Sequence, residues 1–561
     1  MKLGILKNKF FVISLLIITL VGLRLLVLYS ACNVVMSEEG VRGILAKHIL
    51  EGNNTQAHLS YIHLYGLGSV VSSFMAVPLF LLFGVSTISL RLVPLIFSIG
   101  ILVILFTFTN KFFSRKVALL TSLLYIFSIP SYFRYSLYCV ANHHDILFFD
   151  ILIFFVFFSI FFNSKRKALP LDRYGYWIIL GVLSGLAIAY HVSAFIFVLV
   201  IMFYWYLFDK LFFLRVQFLI FVVSFTVGIS PLLYAIFSGY SSPLMGLEVD
   251  KFLFTSSYIA ERFIRIKDLF FYRIPDSFNF ELIPFFNASF INYLYYFVVV
   301  ISVCFLIWLN RESLKNVIKG VIPSTKHNVI PEKINPESLL LVFPLFYSLL
   351  YSFSQYSSDY VWRDHYAMVL YPFFYIFISL FIIKLFEFNF LGKIISVVLA
   401  VSIILISLFG NINFYINGDR WSMSGLRQLI SELLEKDIHY VYTYYDAKWP
   451  LVFESKEKII ASCRGIWSCS STGDVIYDDC HFGERYDYYE QAVDRANRYA
   501  YVFTGNHKFG HIDIMDEYLS EHDIRHKKRI TAQGFVIYYE FSRLVRPENI
   551  NFAEEWKRRH Q

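Results

Sequence analysis

Charged residues are scarce in this 561-residue chain: Asp, Glu, Lys and Arg make up 16% of it, where a soluble domain carries about 25%. With 57% hydrophobic and 19% aromatic residues and a mean hydropathy of +0.56, a soluble enzyme is excluded. Glycine (26), proline (15) and cysteine (6) are few beside 61 Phe and 40 Tyr, which excludes a disordered chain, a collagen-like repeat and a disulfide scaffold. The sequence has no Gly-rich phosphate loop or dinucleotide fingerprint, no internal repeat and no low-complexity tract. What remains is a polytopic α-helical membrane protein.

The net charge of +8 does not indicate nucleic-acid binding. Residues 1–412 hold 30 Lys and Arg against 19 Asp and Glu, and residues 413–561 hold 20 against 23. The basic excess therefore belongs to the hydrophobic part, where it reports loop orientation.

Apolar stretches long enough for about 30 Å of hydrocarbon begin with 10–30. Lys2, Lys7 and Lys9 precede it and place the N-terminus in the cytoplasm. The stretch lacks a small-residue cleavage site and contains Arg24, so it reads as an uncleaved span. Next, 66–84, 88–109 and 117–132 are all apolar enough to cross, but three crossings would put Lys111, Arg115 and Lys116 outside. If 66–84 instead packs along the outer surface, that cluster returns inside. Further spans are expected at 145–162, 174–190, 192–208, 216–237, 291–309, 338–354, 366–384 and 394–412, about eleven in all, with a first outer loop at 31–87 and a long one at 238–290. The domain at 1–412 is then a multi-span membrane domain. Residues 413–561 follow as an extracytoplasmic α/β domain, in which helix-like LRQLISELLEK and IDIMDEYLSEH alternate with strand-like HYVYTYY, KIIAS, RYAYVFT and GFVIYYEF. Cys463, Cys469 and Cys480 lie there, and an outer face permits a disulfide among them.

Ionisable groups near a membrane are expensive, so the place where they gather points to function. They gather on the outer side. The first outer loop holds Glu38, Glu39, His58 and His63, and Arg91 opens the next span. The second holds His143, His144 and Asp145, and a third group, Asp359, Arg363, Asp364 and His365, precedes 366–384. Carboxylates beside histidines and arginines suit general-base attack by a hydroxyl with capture of an anionic leaving group.

Five segments in order carry a family resemblance: EEGVRGILAKHILEG (38–52), LFGVSTISLRLVPLIFSIGILVI (82–104), HHDILFFDILIFF (143–155), GVLSGLAIAYH (181–191) and DHYAMVLYPFFYIFI (364–378). Together they resemble GT-C membrane glycosyltransferases, and more closely the branch with protein O-mannosyltransferases and the lipid A aminoarabinose transferase. The resemblance covers most of 10–412. It implies a GT-C fold in the plasma (inner) membrane, and transfer of a sugar from a polyprenyl-phosphate donor to a hydroxyl of a glycan, lipid or protein at the extracytoplasmic face. No nucleotide is required.

The resemblance also implies roles. Glu38 takes the place of the catalytic base, giving inversion at the anomeric carbon, with Glu39 beside it. The family usually has Asp first and Glu second, whereas here both are Glu. The bland reading is an acidic helix N-terminus that favours the dipole. Asp145 takes the second-loop acidic position and, with His143 and His144, would orient the acceptor or bind a divalent metal, although His-His-Asp alone makes a poor metal cage. Arg24 either snorkels to headgroups or turns inward to hold a glutamate. Arg91, Arg363 and His365 are candidates for the lipid phosphate. The family has arginine where His365 stands and often lysine where His191 stands. His58 and His63 complete the outer substrate-binding set. Two other readings compete: a transporter or flippase of lipid-linked sugars, which would carry ionisable groups near the midplane, and an inactive GT-C-like scaffold.

Overall fold

The structure is a computed structural model. It describes residues 9–30, 36–53, 66–140, 143–162, 174–238, 256–280, 287–321, 334–353, 364–417, 423–466, 468–469, 476–477, 487–504, 510–532 and 534–560. The chain divides into two compact units. One comprises Met1–Val27, His63–Gly68 and Pro94–Gly418; the other comprises Leu28–Ile62, Ser69–Val93 and Asp419–Gln561.

Among the described residues, six helices are long and apolar enough to cross a membrane: Lys9–Leu28, Thr87–Phe112, Val216–Phe237, Ser289–Leu309, Ala367–Phe388 and Phe390–Ile412. Five shorter apolar helices are Gly68–Phe83, Ile146–Phe161, Tyr174–Tyr190, Ala194–Phe208 and Pro336–Ser352. Two expected spans are interrupted. The run 117–132 breaks after helix Arg115–Ile126, and the short helix Pro130–Tyr135 follows. Proline has no N–H to donate and forces the preceding residue out of helical geometry; Ile129 accordingly sits at ψ 153°. The run 366–384 opens as a 3-10 segment, Asp364–Leu370, before helix Tyr371–Phe388.

Packing in the first unit uses glycine where backbones meet. A Cβ on Gly185 would lie 2.3 Å from the Phe225 carbonyl oxygen, and one on Gly228 would lie 2.3 Å from that of Val182. Helices Tyr174–Tyr190 and Val216–Phe237 therefore approach closely, as small residues allow in lipid. Beside them Trp177 and Trp205 stack at 4.1 Å, and Phe154, Phe197, Phe343 and Phe373 form a ring cluster.

In the second unit a five-stranded sheet has the order β2-β1-β5-β7-β6, with β1 Tyr440–Tyr442, β2 Ile460–Ser462, β5 Ala500–Thr504, β6 Lys527–Ile530 and β7 Phe535–Tyr539. A separate antiparallel pair joins β3 Ser468–Cys469 to β4 Ile476–Tyr477. β1 runs parallel to β2 and β5, while β7 is antiparallel to β5 and β6. The apolar strands are buried on the sheet, with Tyr442, Tyr501, Phe503 and Tyr538 in one core with Met515 and Leu519. The edge strand β6 reads KKRI and is exposed throughout, and charge on an edge discourages further strand addition.

Two helices of this unit face each other: Ser37–Leu50, which carries the acidic pair, and Tyr445–Glu454, which joins β1 to β2. Their register is set by Gly40. A Cβ there would lie 2.5 Å from the Trp449 carbonyl carbon, so only glycine admits this approach. One turn on, Gly43 leaves room for the Phe453 ring, which also stacks on Phe80 at 6.2 Å.

Candidate active site

The acidic helix starts at Met36, whose N–H donates to Glu39 Oε2 at 3.2 Å. Acidic side chains in a first turn also answer the unpaired N–H groups and the helix dipole. Glu39 then turns inward. Arg91 grips it through Nε to Oε1 at 2.8 Å and Nη2 to Oε2 at 2.7 Å, with both side chains buried. This parallel fork is the strongest geometry available to a carboxylate.

Glu38 is held differently. Arg42, one turn along and fully buried, donates from Nη1 to Glu38 Oε2 at 3.0 Å. The Tyr445 hydroxyl donates to Oε1 at 2.6 Å. The Glu38 side chain nevertheless stays 25% exposed, against 0% for Glu39. One acid of the pair is sealed and the other can be reached.

Further contacts hold helix Tyr445–Glu454 in place, one to the acidic helix and one to helix Thr87–Phe112. Ser37 Oγ donates to Asp446 Oδ1 at 2.9 Å, and Thr87 donates to Glu454. Burial pushes the Glu454 carboxyl up, against the opposing hydrogen bond from Thr87 and the charges of Arg427 and Arg91. Glu457 gathers Lys47, the Tyr489 hydroxyl, and His48 Nε2 at 2.9 Å. Burial alone would raise its pKa, but the hydrogen bonds from His48, Lys47 and Tyr489 outweigh that and bring it down to about 2.

The second set of expected residues lies in the first unit. Arg24 is buried and turned inward: Nη1 donates to the Ile126 carbonyl at 3.2 Å, Nη2 to Ser128 Oγ at 3.4 Å, and the guanidinium stacks 3.5 Å from the Phe133 ring centre. His144 and Asp145 are both buried, with His144 Nδ1 3.2 Å from Asp145 Oδ1. His144 Nε2 lies 3.4 Å from both Ser98 Oγ and the Tyr125 hydroxyl, and the Tyr190 hydroxyl donates to Asp145 Oδ2 at 3.3 Å. His191 Nδ1 lies 2.7 Å from Ser193 Oγ and 3.2 Å from the Ser193 backbone nitrogen. The His143 and His191 rings are 6.4 Å apart.

Sequence reasoning thus meets two clusters: Glu38, Glu39 and Arg91 in one unit, and Arg24, His143, His144, Asp145 and His191 in the other. His58, His63 and Arg363 lie outside the described residues, and of His365 only the backbone, on the 3-10 segment, is described. Cys480 is likewise outside, while Cys463 is buried. Among the described residues, no three His, Cys, Asp or Glu side chains gather as a metal cage. Sequence reasoning missed Arg42, Tyr445 and Glu457, whose partners are far along the chain or one turn away on an unremarked face. It also missed Asp150, buried in helix Ile146–Phe161 with no hydrogen-bond partner for either carboxyl oxygen among the described residues.

No protein-family model matches the sequence, and no curated protein matches it. Solved structures do match. ArnT from Cupriavidus metallidurans superposes with TM-scores of 0.55 in the apo state and 0.56 bound to undecaprenyl phosphate, at 11% identity, over 93% of this chain and 97% of that one. The Archaeoglobus fulgidus oligosaccharyltransferase AglB, in complex with an inhibitory peptide and a dolichol-phosphate, gives 0.51 at 12% identity, over 94% of this chain and 73% of that one. The fold is therefore that of the GT-C membrane glycosyltransferases. The chain is a membrane protein with that fold, the likeness covering 93% of it.

Proposed function

We propose that the chain is an integral-membrane glycosyltransferase that moves a sugar from a polyprenyl-phosphate donor to a hydroxyl acceptor. The carrying observation is the unequal acidic pair on a GT-C fold: Glu39 is locked on Arg91, while Glu38 is held by Arg42 and Tyr445 with 25% of its side chain exposed. Fold likeness supports the reaction class and leaves the substrate open.

In this reading Glu38 takes the proton of the acceptor hydroxyl as that oxygen attacks the anomeric carbon. The bond from the anomeric carbon to the phosphate oxygen breaks, and its electron pair leaves on the phosphate. Attack opposite the leaving group inverts the anomeric centre. Arg91, engaged by Glu39, serves the site by fixing the acidic helix. Capture of the phosphate is assigned to Arg363 and His365, and orientation of the acceptor to Asp145 with His144. The basic short loops support an N-terminus inside, about eleven spans, and a site and α/β domain on the outer face of the plasma (inner) membrane.

The test is transfer of radiolabel from a panel of polyprenyl-phosphate sugars by purified protein, with membrane extract as acceptor. Transfer by the wild type that Asp145→Asn strongly reduces in a folded protein supports the reading. No transfer from any donor contradicts it. One observation favours the second reading, transport of lipid-linked sugars: Asp150 is a buried carboxyl within an apolar helix, where an ionisable group is expensive. Translocation of labelled lipid-linked sugar in proteoliposomes, lost in Asp150→Asn, would favour transport over transfer.

A further inference from the structure

We propose that Tyr445 is a positioning residue for Glu38: its hydroxyl, supplied by the α/β part of the chain, orients the carboxylate that takes the acceptor's proton and sets its basicity. The proposal rests on the reading of Glu38 as the base.

The two residues are 407 positions apart and meet at 2.6 Å. That is the short distance of an O–H bond to a charged oxygen. Arg42 and Tyr445, both donors to Glu38, differ in what they can do. Arg42 lies on the acidic helix itself, so it holds the side chain against its own helix. Tyr445 comes from the facing helix and ties Oε1 to a second element. The position of Tyr445 is over-determined by its neighbours, through the Ser37–Asp446 hydrogen bond and the backbone approach of Gly40 to Trp449. A hydrogen bond to the charged form of a carboxyl favours that form and lowers its pKa. The same bond limits the rotamers from which the base can act, which is how a few tenths of an ångström become rate. A carboxylate offers roughly four acceptor lobes, so a base can be held by donors and still take a proton.

Among the described residues, the charged and titratable groups around Glu38 include Glu39 and Arg42 on its own helix, Arg91 reaching Glu39 from helix Thr87–Phe112, and Asp446 and Tyr445 on the facing helix. Of these, Tyr445 can be changed by a single oxygen atom without altering net charge.

The experiment uses the full chain in lipid nanodiscs. The Glu38 carboxylate is followed by infrared spectroscopy as the difference between protein with and without Glu38→Gln, titrated with and without Tyr445→Phe. Tyr445→Phe is expected to raise the midpoint by about one pH unit and to move the acid limb of kcat/KM by the same amount. Ser37→Ala, which loosens the same helix pair, should leave the midpoint in place. Incorporation of 3-fluorotyrosine at position 445, a stronger donor with native packing, should lower it. An unchanged midpoint in both Tyr445 variants overturns the proposal. If Glu38→Gln retains full turnover, the base reading fails by itself, and the infrared midpoint still decides whether Tyr445 governs the carboxyl.

Discussion

Arg91 and Glu39 meet through two parallel hydrogen bonds of 2.8 and 2.7 Å, with 2% and 0% of their side chains exposed. Removing one member of such a pair strands a buried charge and destabilises by about 3–5 kcal/mol, whereas replacing both with apolar groups is far milder. Glu39→Gln or Arg91→Met should therefore lower the melting temperature sharply, and Glu39→Leu with Arg91→Met should recover much of the loss. Thermal unfolding in detergent measures this. Equal losses in single and double variants would mean that the pair is not what holds the helix.

Gly40 and Gly43 separate backbone from side-chain crowding on one helix face. Gly40→Ala drives a methyl group against the Trp449 backbone, which cannot swing away, and Gly43→Ala drives it against the Phe453 ring. Overpacking of this kind costs about 1–3 kcal/mol, and the larger value is expected at Gly40. The comparison is made by the melting temperatures of the two variants.

Glu457 links stability to acid pH. Its pKa falls from 4.5 to about 2 in the folded chain, so the unfolded chain binds the proton more readily, and the contribution is complete above about pH 4.5. It is lost as pH falls from 4.5 towards 2. Stability of the wild type and of Glu457→Gln should therefore differ most at neutral pH and converge over that window.

Glu454 has the opposite sign. Burial raises its pKa above 4.5, so the folded chain holds the proton more tightly, and stability contributed by this group falls as pH rises through the raised value. Glu454→Gln keeps a partner for Thr87 and removes the charge. Relative to the wild type it should gain stability as pH rises from 4.5 to 7, and a loss across that range would contradict the account.

The membrane part was legible because lipid demands long apolar helices. The expected 216–237 and 174–190 coincide with helices Val216–Phe237 and Tyr174–Tyr190. The break within 117–132 was not legible, because hydropathy is blind to the backbone constraint imposed by Pro130. In the tail, KIIAS, RYAYVFT and GFVIYYEF contain the strands β2, β5 and β7. The strand KKRI and the helix around Trp449-Pro450 carry no periodic apolar signal, so they went unread. For the same reason the acidic pair was visible as Glu38-Glu39, but its two fates were not. Which acid is sealed and which is reachable depends on Arg91 and Tyr445, and no local pattern announces a partner 52 or 407 residues away.

The division of labour within that pair is the centre of the account, and one comparison tests it most directly. Label transfer from a polyprenyl-phosphate sugar is measured for the wild type, Glu38→Gln and Glu39→Gln, each normalised to folded protein. Glu38→Gln, which takes the charge partner from buried Arg42 but leaves it an acceptor, should lose less stability than Glu39→Gln and lose turnover by at least about 100-fold, the scale of a general base. Glu39→Gln should be less stable, and the fraction that stays folded should retain a larger share of turnover. Wild-type turnover in Glu38→Gln would contradict the assignment of the base.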